Sequence, residues 1–365
     1  MRFGFSLLPL SLGPEHDEWM MEAEIRLGVL ADELGYDMVL VGERHFSGMV
    51  GGNPLLSVAT LAPRLKTAWL GTGVTIVPNY HPVRLAEMLN IVDHLTKGKV
   101  IFGLGSGMSP EDAVAFGFDI SKQNDQMFND GIEALLALWA KRREDPPRSI
   151  NVGTYHGTLL ERITPTPYRK ARPFLKTTAA TPRHIERAAR EGWPIFFIKR
   201  DAEDARELFT QYRTALLSHG HDEAVLAHCA EWTSIAKPSM HIAMDDATAA
   251  EEWAFLNAQL SRFIERKIDY GAQARALQGV DKPLPGVQDR AGAEFRKKMT
   301  VHGGVSAIIE HVREIHDAGF GMFHLSLISP TDEESLAIVE RSMRMFAQKV
   351  MPLFKGPVRP FAELG

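Results

Sequence analysis

Two rhythms alternate along the chain. Short unbroken runs of apolar and β-branched residues have the pattern of strands buried on both faces. Between them, apolar residues return every three or four positions, as on one face of a helix. The segment LGTGVTIVPNYHPVRLAEMLNIVDHLTKGKVIFGLGSG at 70–107 shows both in one strand–helix–strand unit. Residues 72–77 predict a strand. Pro82 then takes the first position of a helix, where its missing N–H would have no partner anyway. Leu85, Met88, Leu89, Val92 and Leu95 give that helix one apolar stripe, Gly98 ends it, and 99–102 predict the next strand. Strands joined this way run parallel, so their carboxyl ends share one side. Those ends carry Asn79, Tyr80 and His81, and then the run from Gly103 to Gly107.

The same alternation predicts strands at 2–8, 38–41, 174–178, 195–198, somewhere within 240–244, and 323–328. Helices are expected at 17–34, 55–65, 126–141, 181–190, 202–218, 247–270, 304–318 and 333–354. Eight strands, each followed by a helix, predict a (β/α)8 TIM barrel of the α/β class. At 365 residues it exceeds the usual ~250 of that fold, so it must carry insertions. We expect one domain over 1–365 with two of them. Prolines cluster around 145–172, where VGTYHGTLLERIT reads as a short hairpin or covering excursion. Residues 271–300 are polar and weakly periodic, which predicts a lid or loop.

With 45% hydrophobic residues the chain can bury a large core. A net charge of −5 without a long basic block argues against a nucleic-acid partner. The lone cysteine, Cys229, excludes an internal disulfide and fits a reducing compartment. No stretch approaches the ~20 apolar residues that span a bilayer, so no membrane partner is expected. The opening MRFGFSLLPLSLGPEHDEW turns acidic at once and lacks a small-x-small cleavage site, which predicts a first strand and a cytoplasmic location.

Candidate chemistry gathers at the strand ends. Glu43–Arg44–His45–Phe46 follows the second strand and reads either as a proton-transfer or anion-binding group, or as an ion pair holding a loop. His81, before Pro82, is a candidate base or a residue that hydrogen-bonds the start of its helix; Tyr80 beside it is a pocket wall under either reading. Gly103-x-Gly105-x-Gly107 is not the G-x-G-x-x-G dinucleotide motif and follows the wrong strand for it, though it offers close backbone approach to a flat ligand. Thr178–Ala179–Ala180–Thr181–Pro182 opens a helix and is either a phosphate site or an ordinary threonine cap. His311 and His316 do not share a helix face, and neither H-E-x-x-H nor paired cysteines occur, so no metal is expected. Without G-x-S-x-G either, the chemistry falls to an organic cofactor.

From Glu43 to Gly107 the chain resembles the bacterial luciferase-like, flavin-dependent monooxygenase family. The shared features are E-[HR]-H-F, the N-P that opens a helix, L-G-T-x-[VA], H-P-x-R-x-A-E, the L-[ST]-x-G-[KR] turn and F-G-x-x-x-G. Gly153-x-Tyr155 and the closing V-M-P-L-F are similar too. The resemblance implies a barrel that takes reduced FMN from a separate flavin reductase and forms a C4a-peroxyflavin with O2. That species then oxygenates a small organic substrate, and the protein is expected to be a homodimer.

Carried over by residue, the resemblance implies a non-proline cis peptide at Gly73–Val74 beneath the flavin and strand-four contacts from Gly105 and Ser106. It implies phosphate binding near Thr178, Ala180 and Thr181, ring contacts from Phe197 and Ile198, and a lid at 271–300. Many relatives carry arginine where this chain has Ser106, so Arg183 or Lys297 is the expected substitute for a phosphate clamp. Luciferases proper have a histidine acid/base where this chain has Arg44, and a guanidinium stays protonated at any working pH. Arg44 is therefore expected to supply charge and His45 to move the proton, with Tyr80 and Met108 as the substrate wall. The alternatives are an F420-dependent hydride-transfer enzyme and a non-catalytic flavin-binding relative on the same barrel.

Overall fold

A computed structural model of the chain describes all residues except 47, 49, 50, 108, 120–124, 170, 179, 180, 199–201, 238, 281–299 and 365. Its strands are β1 (Arg2–Leu7), β2 (Met38–Val41), β3 (Trp69–Ile76), β4 (Val100–Gly105), β5 (Arg148–Val152), β6 (Tyr155–Leu159), β7 (Phe174–Thr178), β8 (Ile195–Ile198), β9 (Ser234–Ala236), β10 (Ser239–Ala243), β11 (Thr300–Gly304) and β12 (Met322–Leu325). The helices are α1 (Asp17–Glu33), α2 (Pro54–Leu61), α3 (Pro82–Leu95), α4 (Pro110–Ala115), α5 (Asp125–Ala140), α6 (Pro182–Glu191), α7 (Ala202–Ser218), α8 (Glu223–Trp232), α9 (Asp246–Leu277), α10 (Val305–Asp317), α11 (Glu333–Lys349) and α12 (Met351–Phe354).

Eight of the strands close into a parallel barrel in the order β1-β12-β9-β8-β7-β4-β3-β2. Caps set the helix starts. Asn53 accepts from the N–H groups of Leu55 and Leu56 to open α2, Thr181 accepts from His184 N–H to open α6, and Asp332 forms a capping box with Ser335 at α11. The stripe of α3 buries Leu85, Ala86, Leu89 and Val92 against the sheet.

The seventh barrel strand is not the one the apolar pattern picks out. The run near 240 does form a strand, β10, but it pairs with β11 outside the barrel. The barrel is completed by β9, three residues long and too short to show a period, which follows the unanticipated α8. The helix expected to end at Tyr270 continues to Leu277, so the start of the expected lid is helical. The rest of that lid, residues 281–299, lies outside the described residues. The 145–172 excursion contains the antiparallel hairpin β5–β6, laid along α5. No helix among the described residues is long and apolar enough to cross a membrane.

A lysine lies inside the barrel. Lys176 on β7 is fully buried, and its Nζ donates to Ser234 Oγ at 2.9 Å and to Trp232 O at 3.3 Å. Burial pulls its pKa down to about 7. His324 on β12 lies nearby, its ring edge-on to Phe196 at 5.3 Å. Burial, and then the charge of Lys176, push its pKa far down, so its ring is neutral. Gly4 on β1 has no room for a side chain here, because a Cβ would sit 2.2 Å from His324 Nδ1. Below this layer Trp69 and Trp232 meet at 4.8 Å, Arg2 lies over Trp232 at 4.6 Å and Arg169 over Phe174 at 3.9 Å. These contacts cover the amino ends of the strands; the carboxyl ends face the other way.

Candidate active site

Four carboxyl ends bring polar groups together. After β2, the Glu43 side chain is fully buried. Its Oε2 accepts from the Ile76 N–H at 2.7 Å, at the end of β3, and its Oε1 lies 2.8 Å from His45 Nε2. Asn79 Nδ2 donates to the same oxygen at 3.4 Å. Burial raises the Glu43 pKa and these bonds pull it back, leaving it above the ordinary value. A carboxylate facing Nε2 holds the proton on that nitrogen and leaves Nδ1 as the ring's acceptor. The His45 ring stands edge-on to Phe116 at 4.9 Å. Phe46, next in the chain, has φ +56°, an uncommon conformation for a bulky residue, at the functional end of the barrel.

Arg44 is half-buried. Its backbone N–H donates to Gly51 O at 3.0 Å, and its guanidinium forms no ion pair with a described carboxylate. Burial lowers its pKa, and Asp112 and Glu111 oppose that shift. Those two acids open α4, just beyond the β4 glycines. Asp112 is pushed up to about 7 by burial and by Glu111, while His45 and Arg44 draw it down. Its Oδ1 is buried without a hydrogen-bond partner. Sequence reasoning passed over both acids, since carboxylates in a first helical turn have an ordinary reading as partners of the helix dipole.

Tyr80 is half-buried, with its hydroxyl enclosed near Glu43; burial and then that carboxylate raise its pKa. His81 takes the bland reading. Its Nδ1 accepts from Val83 N–H at 3.2 Å to cap α3, and its ring meets Tyr155 of the hairpin at 5.3 Å. The tip of β5–β6 thus reaches this rim, where Tyr155 Oη donates to Pro78 O.

The Gly73–Val74 peptide is cis, and the β3–β4 register shifts between Thr72 and Thr75. The glycines at 103 and 105 in β4, and Gly107 just beyond it, have a local cause. A Cβ on Gly103 would lie 2.1 Å from Thr72 O, one on Gly105 2.5 Å from Val74 Cγ2, and one on Gly107 2.7 Å from Ile76 Cγ2. They make room for β3 rather than tracing a nucleotide loop. Ser106 is half-buried and its Oγ donates to Gly107 O at 3.4 Å. Thr178 ends β7 half-buried, three residues before the Thr181 cap of α6, and Arg183 is exposed in that helix's first turn. Ile198 joins the interior cluster around Phe196 and Trp232. The Phe197 ring points outward against Phe209 of α7 and Phe320, at 6.2 and 5.3 Å, so its side chain faces away from the barrel interior. Met108 and Ala180 lie outside the described residues, as does Lys297. No group of three metal-ligating side chains occurs among the described residues.

A family model described as luciferase-like monooxygenase matches residues 1–321. The chain belongs to this family. It is a monooxygenase by membership and a closed parallel barrel by structure. Among its relatives, the 4-hydroxyprotoasukamycin monooxygenase of Streptomyces nodosus subsp. asukaensis is 26% identical over 97% of this chain and 92% of its own length. The alkanal monooxygenase alpha chain of the Kryptophanaron alfredi symbiont is 25% identical over 97% and 99%. A solved monooxygenase from Streptomyces bottropensis superposes with a TM-score of 0.76 at 24% identity, over 97% of this chain and all of the other. The oxygenating constituent of 3,6-diketocamphane monooxygenase from Pseudomonas putida, solved with FMN, gives 0.71 at 18% over 98% and 99%. An F420-dependent secondary alcohol dehydrogenase gives 0.66 at 14% over 97% and 99%. At these identities the solved structures speak for the fold alone.

Proposed function

We propose that this chain inserts oxygen from O2 into a small organic substrate with reduced FMN, which a separate reductase delivers. The observation that carries the proposal is the Glu43–His45 pair at the mouth: a buried carboxylate 2.8 Å from an imidazole, next in the chain to a half-buried Arg44 that forms no ion pair with a described carboxylate. Family membership supports it, and so does the FMN bound in the diketocamphane enzyme of the same fold.

The residues present fit such a cofactor. Thr178 offers a half-buried hydroxyl with no hydrogen bond to another described residue, and the α6 start offers Thr181 and the exposed Arg183 for a phosphate. Val74, at the cis peptide, and Ile198 present half-buried apolar edges for a ring system, with the backbone of Gly105 and Ser106 beside them. When bound, reduced FMN supplies the activation of O2. The chain's own contribution is to place and protect. Glu43 fixes the His45 ring and its tautomer, so that Nδ1 takes or gives a proton at the reacting oxygen. Arg44 holds positive charge against a developing anion, and Tyr80 closes the wall on the Glu43 side.

Anaerobic titration with reduced FMN and with reduced F420 tests the choice of cofactor; tight binding of F420 alone turns the assignment to hydride transfer. Aerobic turnover with FMN, a flavin reductase and a panel of aldehydes, ketones and sulfonates, read by mass spectrometry, then tests the reaction. Binding of flavin with no product from any class would favour a non-catalytic relative. Arg183→Ala is expected to weaken FMN binding roughly tenfold through the loss of a charge-assisted contact, while riboflavin, which lacks the phosphate, binds as before.

A homodimer is part of the same reading. Ile91 and Leu95, one turn apart on α3, and Leu56 on the adjoining α2 are exposed, a face suited to a second copy. The double variant Ile91→Glu, Leu95→Glu should sediment as a monomer where the parent protein is a dimer. A parent that already sediments as a monomer removes this part of the proposal.

A further inference from the structure

A cleft of about 740 Å³ lies at the end of the barrel opposite the mouth. The last turn of α5, the segment after β6 and the segment before β7 form it. Its apolar wall is Leu136 and Trp139, with the indole plane fixed by a 2.8 Å hydrogen bond from Nε1 to Asn90 Oδ1. Around this wall stand Lys141, Arg142, Arg143, Arg162 and Arg172, against a single lining carboxylate, Glu144. The chain as a whole carries a charge of −5, so this concentration of cations is local.

Carbonyl oxygens hold three of these cations in place, while Glu161 acts on Arg143 and Arg162 and Glu191 on Arg172. Lys141 Nζ donates to the carbonyls of Arg142 and Asp145, both at 3.0 Å. Arg162 Nη1 donates to Ile163 O at 3.0 Å, and Arg172 Nη2 to Glu191 O at 3.1 Å. Arg172 Nη1 is buried with no partner, beside the ring of Trp193 at 5.3 Å. The Arg142 guanidinium is exposed and forms no ion pair with a described residue; Arg143 alone of the five pairs with a carboxylate, Glu161 at 3.2 Å. Carbonyls fix a cation's place and leave its charge in force, so the N–H groups left over can turn to an anion.

We propose that this cleft is a second binding site, separate from the mouth, for a small polyanion on a flat apolar body, namely a nucleoside diphosphate. Its volume is that of a small-molecule site. The arginines suit the paired oxygens of a diphosphate, and Trp139 offers a ring for the base to pack on.

Isothermal titration of the full chain with ADP, inorganic pyrophosphate and adenosine tests this. ADP is expected to bind at one site per chain, more weakly as salt is raised, with pyrophosphate weaker and adenosine undetectable. Arg142→Glu, at an exposed position that leaves packing untouched, should weaken ADP at least tenfold and abolish the rise in Tm that ADP gives the parent protein. Arg162→Ala should weaken it in the same direction, and Arg183→Ala at the mouth should leave it unchanged. Absence of ADP binding overturns the proposal, as does binding that Arg183→Ala weakens and Arg142→Glu does not. Pyrophosphate binding as tightly as ADP overturns the role given to the Trp139 wall.

Discussion

Replacing His45 by alanine is expected to leave flavin binding intact and to cut product formation by roughly 10²–10⁴-fold. Glu43 stays anchored in that variant by the Ile76 N–H and by Asn79, so the loss would be chemical rather than structural. Arg44 cannot take over, because a guanidinium does not give up its proton at working pH. Product measured by mass spectrometry, beside a flavin titration of the same variant, separates the two effects. Unchanged turnover would remove His45 from the mechanism and direct attention to Asp112, whose carboxyl near pH 7 is the other proton-exchanging group facing Arg44. In that event Asp112→Asn should abolish whatever pH dependence of the rate remains around neutrality.

The second large effect concerns stability. An unfolded lysine titrates near ~10.4, whereas Lys176 in the folded barrel titrates at about 7. Between those values the unfolded chain binds a proton that the folded one does not, so stability rises with pH across that window. Below about pH 7 both states are protonated and the folded protein bears the full cost of a buried ammonium. Lys176→Met is therefore expected to be more stable than the parent at pH 7, by about 2–4 kcal/mol. The gap should narrow steadily toward pH 10. Urea unfolding of both proteins at several pH values measures it, and the difference between them cancels other groups such as Tyr36 and Cys229. A gap that stays constant with pH would mean that Lys176 is charged in the folded state. The unpartnered nitrogens of His324, on the facing strand, make a neutral amine the easier occupant of this space.

The barrel was largely legible because parallel strands buried on both faces leave unbroken apolar runs. Those at 38–41 and 195–198 coincide with β2 and β8. The same property hides direction. In a strand apolar on both faces nothing marks which residues look inward, so Phe197 could not be told from Phe196, and only the fold turns the former toward α7. The strand β9 escaped notice because three residues carry no rhythm, while the louder run of β10 drew the assignment. Glu43, Arg44 and His45 stood out as adjacent titratable groups at a strand end. Glu111 and Asp112 did not, because their meaning depends on burial beside Arg44, and a sequence does not display burial.

The crowding of β4 against β3 bears on how this enzyme can be altered. Three alternate positions of that strand and its extension have a wall of neighbouring atoms where any side chain would begin, at Thr72 O, Val74 and Ile76. A library that randomises Gly103, Gly105 or Gly107 in search of new selectivity should return almost entirely misfolded clones. Variation is better placed at Arg44, Tyr80 and Ile198, half-buried at the rim on separate segments, so evolution and the engineer are both confined to decorating the lip of a vessel whose floor is already full.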